Sequence, residues 1–229
     1  MILRFFDLDV NNTLEFAPSR SVCLTIENQD CYINIVKYFK GIDGEEKSFC
    51  ILSGDKELVY SKDYTTVIDC YDFETVSRTV AGKTIKVVSD AIDKNDAAAY
   101  AIRRKLADLY SSVADALNDY DVEFDSTPDR SPEDILKFFS VSPASSRESV
   151  FDKFLNLIEL TAVLKLYKLI VFVNLKSFLN ERDITELQKA GAYKGVDLLF
   201  LENYSHGYST EYEDNYLLDR DLFLTKVAV

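Results

Sequence analysis

Val22-Cys23-Leu24-Thr25-Ile26, followed at Asn28 by a helix-capping residue and then by Ile33, Ile35, Val36 and Phe39 ahead of Gly41, decides the fold class. A short apolar run that passes through a cap into helical spacing is a strand feeding a helix. The same pattern returns in the second half of the chain. Leu169-Ile170-Val171-Phe172-Val173 reads as a strand, residues 183–190 as a helix, and residues 196–201 as another continuous apolar strand. Unbroken apolar strands belong to a parallel sheet covered on both faces. Shorter runs at 49–52 and 66–71 and a closing one at 222–227 complete an α/β reading.

Between these halves the sequence turns helical. A helix is predicted from a turn at Gly82 and Lys83 into Thr84, with its far end at 90–96. From 97 to 118 the positions Ile102, Leu106, Leu109, Val113 and Leu117 share one face of an uninterrupted amphipathic helix. Residues 121–134 are acidic and turn-rich, with Pro128 and Pro132, and lead to a short helix through Ile135, Leu136, Phe138 and Phe139. Val141-Ser142-Pro143-Ala144-Ser145-Ser146 breaks the chain. The helix predicted over 148–168 is apolar on nearly every side, so it is expected to be buried or to pack in an oligomer. The expected organisation is an α/β core from residues 1–80 and 149–229, interrupted by an α-helical insertion at 81–148.

Composition excludes much. At 229 residues and 47% hydrophobic content the chain can bury a core unaided. Its longest wholly apolar run, at Leu169 to Val173, is far short of the roughly 20 residues a membrane helix needs. No basic segment followed by an apolar one marks a signal peptide at the start, so a cytoplasmic location and no membrane partner are expected. A single histidine, His206, rules out multi-histidine metal centres, and seven glycines leave little material for phosphate-cradling loops. Cys23, Cys31, Cys50 and Cys70 form no Cys-x-x-Cys pair and read as structural free thiols. Most familiar enzyme chemistries lack their residues, and no catalytic residue is assigned.

Three motifs need weighing. Gly82-Lys83-Thr84 resembles the end of a phosphate-binding loop, but the pattern wants glycine five residues before Gly82, where Ser77 stands. An ATPase using these residues remains an alternative reading. His206 follows a strand in a polar loop, and without a Gly-x-Ser-x-Gly elbow it reads as a loop histidine. Tyr204, Tyr208, Tyr212 and Tyr216 recur every four residues, yet Ser205, Gly207 and Ser209 between them favour a packed loop over a helix.

Charge is segregated. The formal net charge is -13, which argues against nucleic acid when taken as an average. Residues 78–105 nevertheless carry a net +4, through Arg78, Lys83, Lys86, Lys94, Arg103, Arg104 and Lys105 against three aspartates. Residues 106–134 carry a net -8. Lys83, Lys86, Arg103 and Arg104 are the candidate phosphate contacts, the alternative being a solvated face with pairs such as Arg104 to Asp108. Asp121, Glu123, Asp125 and Asp129, with Glu133 beyond, alternate like the oxygen ligands of a calcium loop. They depart from an EF-hand at Ser126 and Pro132, where Gly and Glu are required. The alternative here is a solvated acidic turn, or an acidic protein-docking module.

Lys168-Leu169-Ile170-Val171-Phe172-Val173-Asn174, then Ser177-Phe178-Leu179, Leu187-Gln188, Leu198-Leu199-Phe200-Leu201-Glu202 and Leu218-Asp219-Arg220-Asp221-Leu222-Phe223-Leu224-Thr225-Lys226 carry a family likeness. With Ile26-Glu27-Asn28, Ile35-Val36-Lys37-Tyr38 and Asp121-Val122-Glu123-Phe124-Asp125, they resemble the small accessory protein of type II-A CRISPR systems, which serves spacer acquisition in antiviral defence. The likeness is weakest over residues 41–95. It implies a core similar to P-loop NTPases without a working nucleotide site, carrying a helical extension. It further implies a non-enzymatic, homotetrameric ring that holds double-stranded DNA ends in a lysine-lined hole, with calcium ordering the subunits and other CRISPR adaptation proteins as partners. Carried over by position, the calcium ligands are Glu123 and Asp125, then Asp121 and Asp134. Asp129 and Glu133 are set aside, because the acidic segment is about three residues longer here around 128–132.

Overall fold

The computed structural model of the chain describes residues 1–6, 13–42, 48–71, 74–118, 120, 130–143 and 149–227. In chain order the elements are β1 (Ile2–Phe5), β2 (Thr13–Glu15), β3 (Ser21–Ile26), α1 (Gln29–Phe39), β4 (Phe49–Ser53), β5 (Lys56–Glu57) and β6 (Tyr64–Val67). There follow α2 (Glu74–Asp93), α3 (Asp96–Leu117), α4 (Pro132–Phe138), α5 (Val150–Leu164), β7 (Leu169–Val173), α6 (Glu181–Lys194), β8 (Asp197–Glu202), β9 (Glu213–Leu218) and β10 (Leu224–Val227). The chain divides into a sheet unit, Met1–Ser77 with Ser145–Val229, and a helical unit, Arg78–Ala144.

The sheet unit is mixed α/β. Its larger sheet has the order β10-β9-β3-β8-β7-β6, with all neighbours parallel except β10 against β9. A smaller antiparallel sheet runs β2-β1-β4-β5. Side chains alternate across β3, so Val22, Leu24 and Ile26 join Ile35 and Phe39 of α1 and Leu3, Phe5 and Ile51 of the smaller sheet in one buried cluster. The opposite face of the large sheet carries an aromatic stack. Phe154 of α5 meets Phe172 edge-on at 5.3 Å between ring centres, and Phe172 stacks on Phe200 at 5.5 Å. Each of these fully buried rings contributes on the order of 2–3 kcal/mol by leaving water. Coverage of both faces explains why β7 is apolar throughout and β8 is apolar from Leu198 to Leu201.

Local signals place the helices. Asn28, Asn95 and Asn180 cap α1, α3 and α6 by accepting a backbone N–H from three residues on. Ser131 with Asp134, and Ser149 with Asp152, form reciprocal capping boxes at α4 and α5. Gly195 ends α6 in the left-handed conformation, at φ 69°. Gly191 lets α6 approach β8, because a Cβ there would lie 2.8 Å from the Leu198 side chain.

Several predicted boundaries move. The helix expected near Thr84 begins ten residues earlier, at Glu74, so Gly82-Lys83-Thr84 lies inside a helix and no turn stands there. Val76, Val80 and Thr84 are buried one turn apart, a helical stripe that interleaved Ser and Thr conceal. The strand expected at 66–71 is β6, four residues from Tyr64. The helix expected over 148–168 is α5, which buries Phe154, Leu157, Ile158 and Thr161 and leaves Val163 in solvent. Strands β1, β2, β5 and β9 are additions to the sequence reading. Among the described residues no helix is long and apolar enough to cross a membrane.

Candidate functional site

The strand path runs from β6 through β7 to β8 and then jumps across β3 to β9. Doubly wound sheets place ligands at the carboxyl ends of their strands beside such a reversal. In this chain the turn from β3 into α1 there is Glu27-Asn28-Gln29-Asp30, with two acidic residues and no glycine. Beside it, at the carboxyl end of β8, stands the fully buried Glu202. A phosphate is repelled by this set, because its usual partners are glycine amides and an unpaired cation. The alternative phosphate loop fares no better. The amides of Gly82-Lys83-Thr84 belong to helix α2, and Thr84 is buried.

What the carboxyl end does hold is a buried polar network. After β7, Asn174 adopts a left-handed conformation at φ 53°, and a single 3-10 turn, Leu175–Ser177, folds Lys176 back over the sheet. The Lys176 Nζ donates to Glu213 Oε1 of β9 at 2.9 Å, with both side chains shut off from solvent. Gln188 of α6 donates to Glu213 Oε2 at 2.6 Å, and the Thr210 amide donates to Glu213 Oε1 at 3.2 Å. The Thr210 hydroxyl in turn donates to Gln188 Oε1. Burial alone would lower the Lys176 ammonium, but Cys23 and Glu213 facing it raise it above its ordinary value. Burial also pushes the Cys23 thiol up to about 12, which removes it as a nucleophile and agrees with a structural role.

His206 belongs to the same network, and this corrects its reading as a simple loop residue. Its Nε2 lies 2.9 Å from Glu202 Oε2, and the Lys176 backbone N–H donates to Glu202 Oε1 at 3.1 Å. Burial raises the Glu202 carboxyl to about 7, against the lowering effect of the Lys176 N–H and ammonium. Burial and then the Lys176 charge lower His206 below its ordinary value. Of the tyrosines at four-residue spacing, Tyr204, Tyr208 and Tyr212 lie in the non-helical segment before β9, as expected of a loop, whereas Tyr216 lies within that strand. Lys176 sits over Tyr208, Lys189 over Tyr212 and Lys226 over Tyr216, at 4.9, 5.5 and 5.5 Å from the ring centres.

The sequence-derived DNA contacts lie in the helical unit. Lys83 and Lys86 are one turn apart on α2, Lys83 half-buried and Lys86 exposed. Arg103 and Arg104 are successive exposed residues on α3. Among the described residues no ion pair joins Arg104 to Asp108. Of the calcium candidates, Asp121, Glu123 and Asp125 lie outside the described residues. Asp134 lies in the Ser131 capping box at the start of α4, where its Oδ2 accepts the Ser131 N–H and hydroxyl at 3.2 and 2.8 Å. These bonds hold its carboxyl below the usual range, so it is ionised.

A mainly parallel six-stranded sheet, a smaller antiparallel sheet and a separate helical unit define a mixed α/β protein. Compared with known families, residues 41–222 match the one described as CRISPR-associated protein (Cas_Csn2). The chain belongs to this family, which is the type II-A accessory family that the sequence resembles, and its role is CRISPR-associated.

Proposed function

We propose that the protein is a non-enzymatic, calcium-dependent homotetrameric ring that binds and threads double-stranded DNA ends to assist acquisition of new CRISPR spacers. Family membership over residues 41–222 is the observation that carries this reading. The basic half of the helical unit supports the DNA part, since Lys86, Arg103 and Arg104 reach solvent and are available to phosphates. Assembly is supported by the apolar surface of the same unit, where Leu109, Val113, Phe138 and Phe139 are all exposed. The acidic turn after β3 and the mid-helix position of Gly82-Lys83-Thr84 support a P-loop-like core without nucleotide chemistry.

For calcium, the donor set is Asp121, Glu123, Asp125 and Asp134. Carboxylate oxygens crowded in sequence suit a hard divalent cation, and the cap leaves Asp134 ionised with Oδ1 as the oxygen it can offer. The ion would supply charge neutralisation between acidic segments, allowing them to pack.

The test is a gel-shift series on linear, closed circular and single-stranded DNA, with calcium or chelator, alongside native mass measurement. Linear duplex should be retained in calcium, circular duplex of the same sequence should not, and the complex should weaken steeply with salt. Equal retention of circle and linear duplex, or a monomer with and without calcium, overturns the ring. ATP binding by calorimetry that is lost in Lys83→Ala would establish the ATPase alternative instead. Failure to retain any DNA at low salt with calcium would favour an acidic protein-docking module.

A further inference from the structure

Residues 203–212 carry the chain from β8 across β3 to β9 without a helix; Arg20 and Ser21 hold its far end at Glu211 and Tyr212, while His206, Tyr208 and Thr210 tie its middle to the buried network described above. At its start, the Asn203 amide donates to Asn174 Oδ1 at 3.1 Å, and the Tyr204 hydroxyl meets Ser177 Oγ at 3.0 Å. In its middle, His206 reaches Glu202 while its ring packs on Tyr204 at 4.2 Å between centres. Farther on, Tyr208 lies under Lys176 and Thr210 binds Gln188 and Glu213. We propose that Glu202 and His206 form a proton-operated latch that holds this crossing segment against the sheet at neutral pH and releases it on acidification.

The charge around the pair sets the direction. Lys176 faces it from the turn after β7, Glu213 from β9, Cys23 from β3, Tyr32 from α1 and Cys70 from the segment after β6, while Tyr204 and Tyr208 belong to the crossing itself. Lys176 and Glu213 neutralise one another. With one proton between them, Glu202 and His206 add no net charge and keep their hydrogen bond, whichever of the two carries the proton. Loss of that proton leaves a carboxylate still held by the Lys176 N–H and able to accept from the neutral imidazole. Gain of a second proton puts an imidazolium beside the Lys176 ammonium, with no carboxylate left to offset it. The acid side is therefore the side on which the latch opens.

His206 is the sole histidine, so its ring resonances report on the latch without assignment ambiguity. In the full-length protein, the His206 titration followed by NMR should have its midpoint below the ordinary 6.5. Across that titration, amide hydrogen-exchange protection over residues 203–212 should fall on the order of tenfold while β7 and β8 stay protected. In His206→Gln, which cannot take the second proton, the acid-side fall in protection of the crossing should be lost. Glu202→Gln should bring the His206 midpoint away from its wild-type position. If either variant is too unstable to study, the wild-type measurements alone decide. A His206 midpoint at its ordinary value, crossing protection unchanged through its titration, or the same pH response in His206→Gln would each overturn the latch. DNA binding is not read out here, so failure of the latch leaves the proposed function untouched.

Discussion

In the sheet unit Phe154, Phe172 and Phe200 are wholly shut away from solvent, whereas in the helical unit Leu109, Phe138 and Phe139 stand 58, 80 and 69% exposed. The contrast extends to polar groups. The sheet unit buries an entire lysine–glutamate pair with its hydrogen-bond partners, while the described apolar residues of the helical unit that reach full burial are Val80 and Ala99. A fold that can seal charges inside has surplus packing around them. A set of helices that buries few of its described apolar side chains and leaves Leu109, Phe138 and Phe139 in water has apolar surface to offer a partner. In the reading proposed above, that partner is a second copy of the chain.

The largest effect is expected where the sheet unit is broken from within. Lys176→Met strands the Glu213 carboxylate in a buried site and should cost about 3–5 kcal/mol, read as a large drop in the urea midpoint. An unchanged midpoint would mean that the pair is not sealed as described. On the other side of the contrast, Leu109→Ser with Val113→Ser should leave monomer stability within about 0.5 kcal/mol, since both positions are already exposed. Self-association measured by sedimentation should weaken by about tenfold or more. If the double variant instead unfolds with full-length cooperativity lost, the helical unit has a core that its surface exposure conceals.

A smaller effect separates helix from phosphate loop. Gly82 lies within α2, and a Cβ there meets nothing within 4 Å. Gly82→Ala should therefore raise stability by up to about 1 kcal/mol, the helix propensity gain. A phosphate-cradling glycine would not tolerate that change without loss of function. The smallest effect is in the pH profile of the sheet unit. The raised Glu202 carboxyl contributes stability that is present below 4.5 and lost as pH rises towards 7, and the lowered His206 contributes stability present above 6.5 and lost as pH falls below it. Between 4.5 and 6.5 the two slopes oppose each other. Stability from this pair should fall by less than about 1 kcal/mol between 6.5 and 7, where the Glu202 slope acts without the opposing His206 slope. Thermal melts of wild type and His206→Gln across this range should differ in that pattern.

Legibility in the sequence followed the same division. Strands β3, β7 and β8 stood out because burial on both faces forces continuous apolar runs, and α3 because its stripe keeps a helical period. Strand β9 did not, since it opens with Glu213 and Asp214. Those charges are tolerable in a strand only because Lys176, Gln188, Arg20 and Lys226 reach them from distant segments. The start of α2 was hidden by Ser and Thr between its valines. The Glu202–His206 pair looked like an ordinary four-residue spacing, and nothing local indicates that a non-helical segment folds the imidazole back onto the strand it has just left. Lys83, Lys86, Arg103 and Arg104 could be chosen from charge alone, but charge does not say which of them face a common duplex.

The central position of β3 has a consequence for the order in which the chain takes shape. This strand is complete by Ile26, yet its two neighbours are Asp197–Glu202 and Glu213–Leu218. During synthesis it must wait for almost the whole polypeptide before either edge is paired, while α2 and α3 need only local hydrogen bonds and can form as they emerge. Until β8 and β9 arrive, Val22-Cys23-Leu24-Thr25-Ile26 is an apolar strand open on both edges, the segment a chaperone would be expected to shield and a C-terminal truncation would leave exposed.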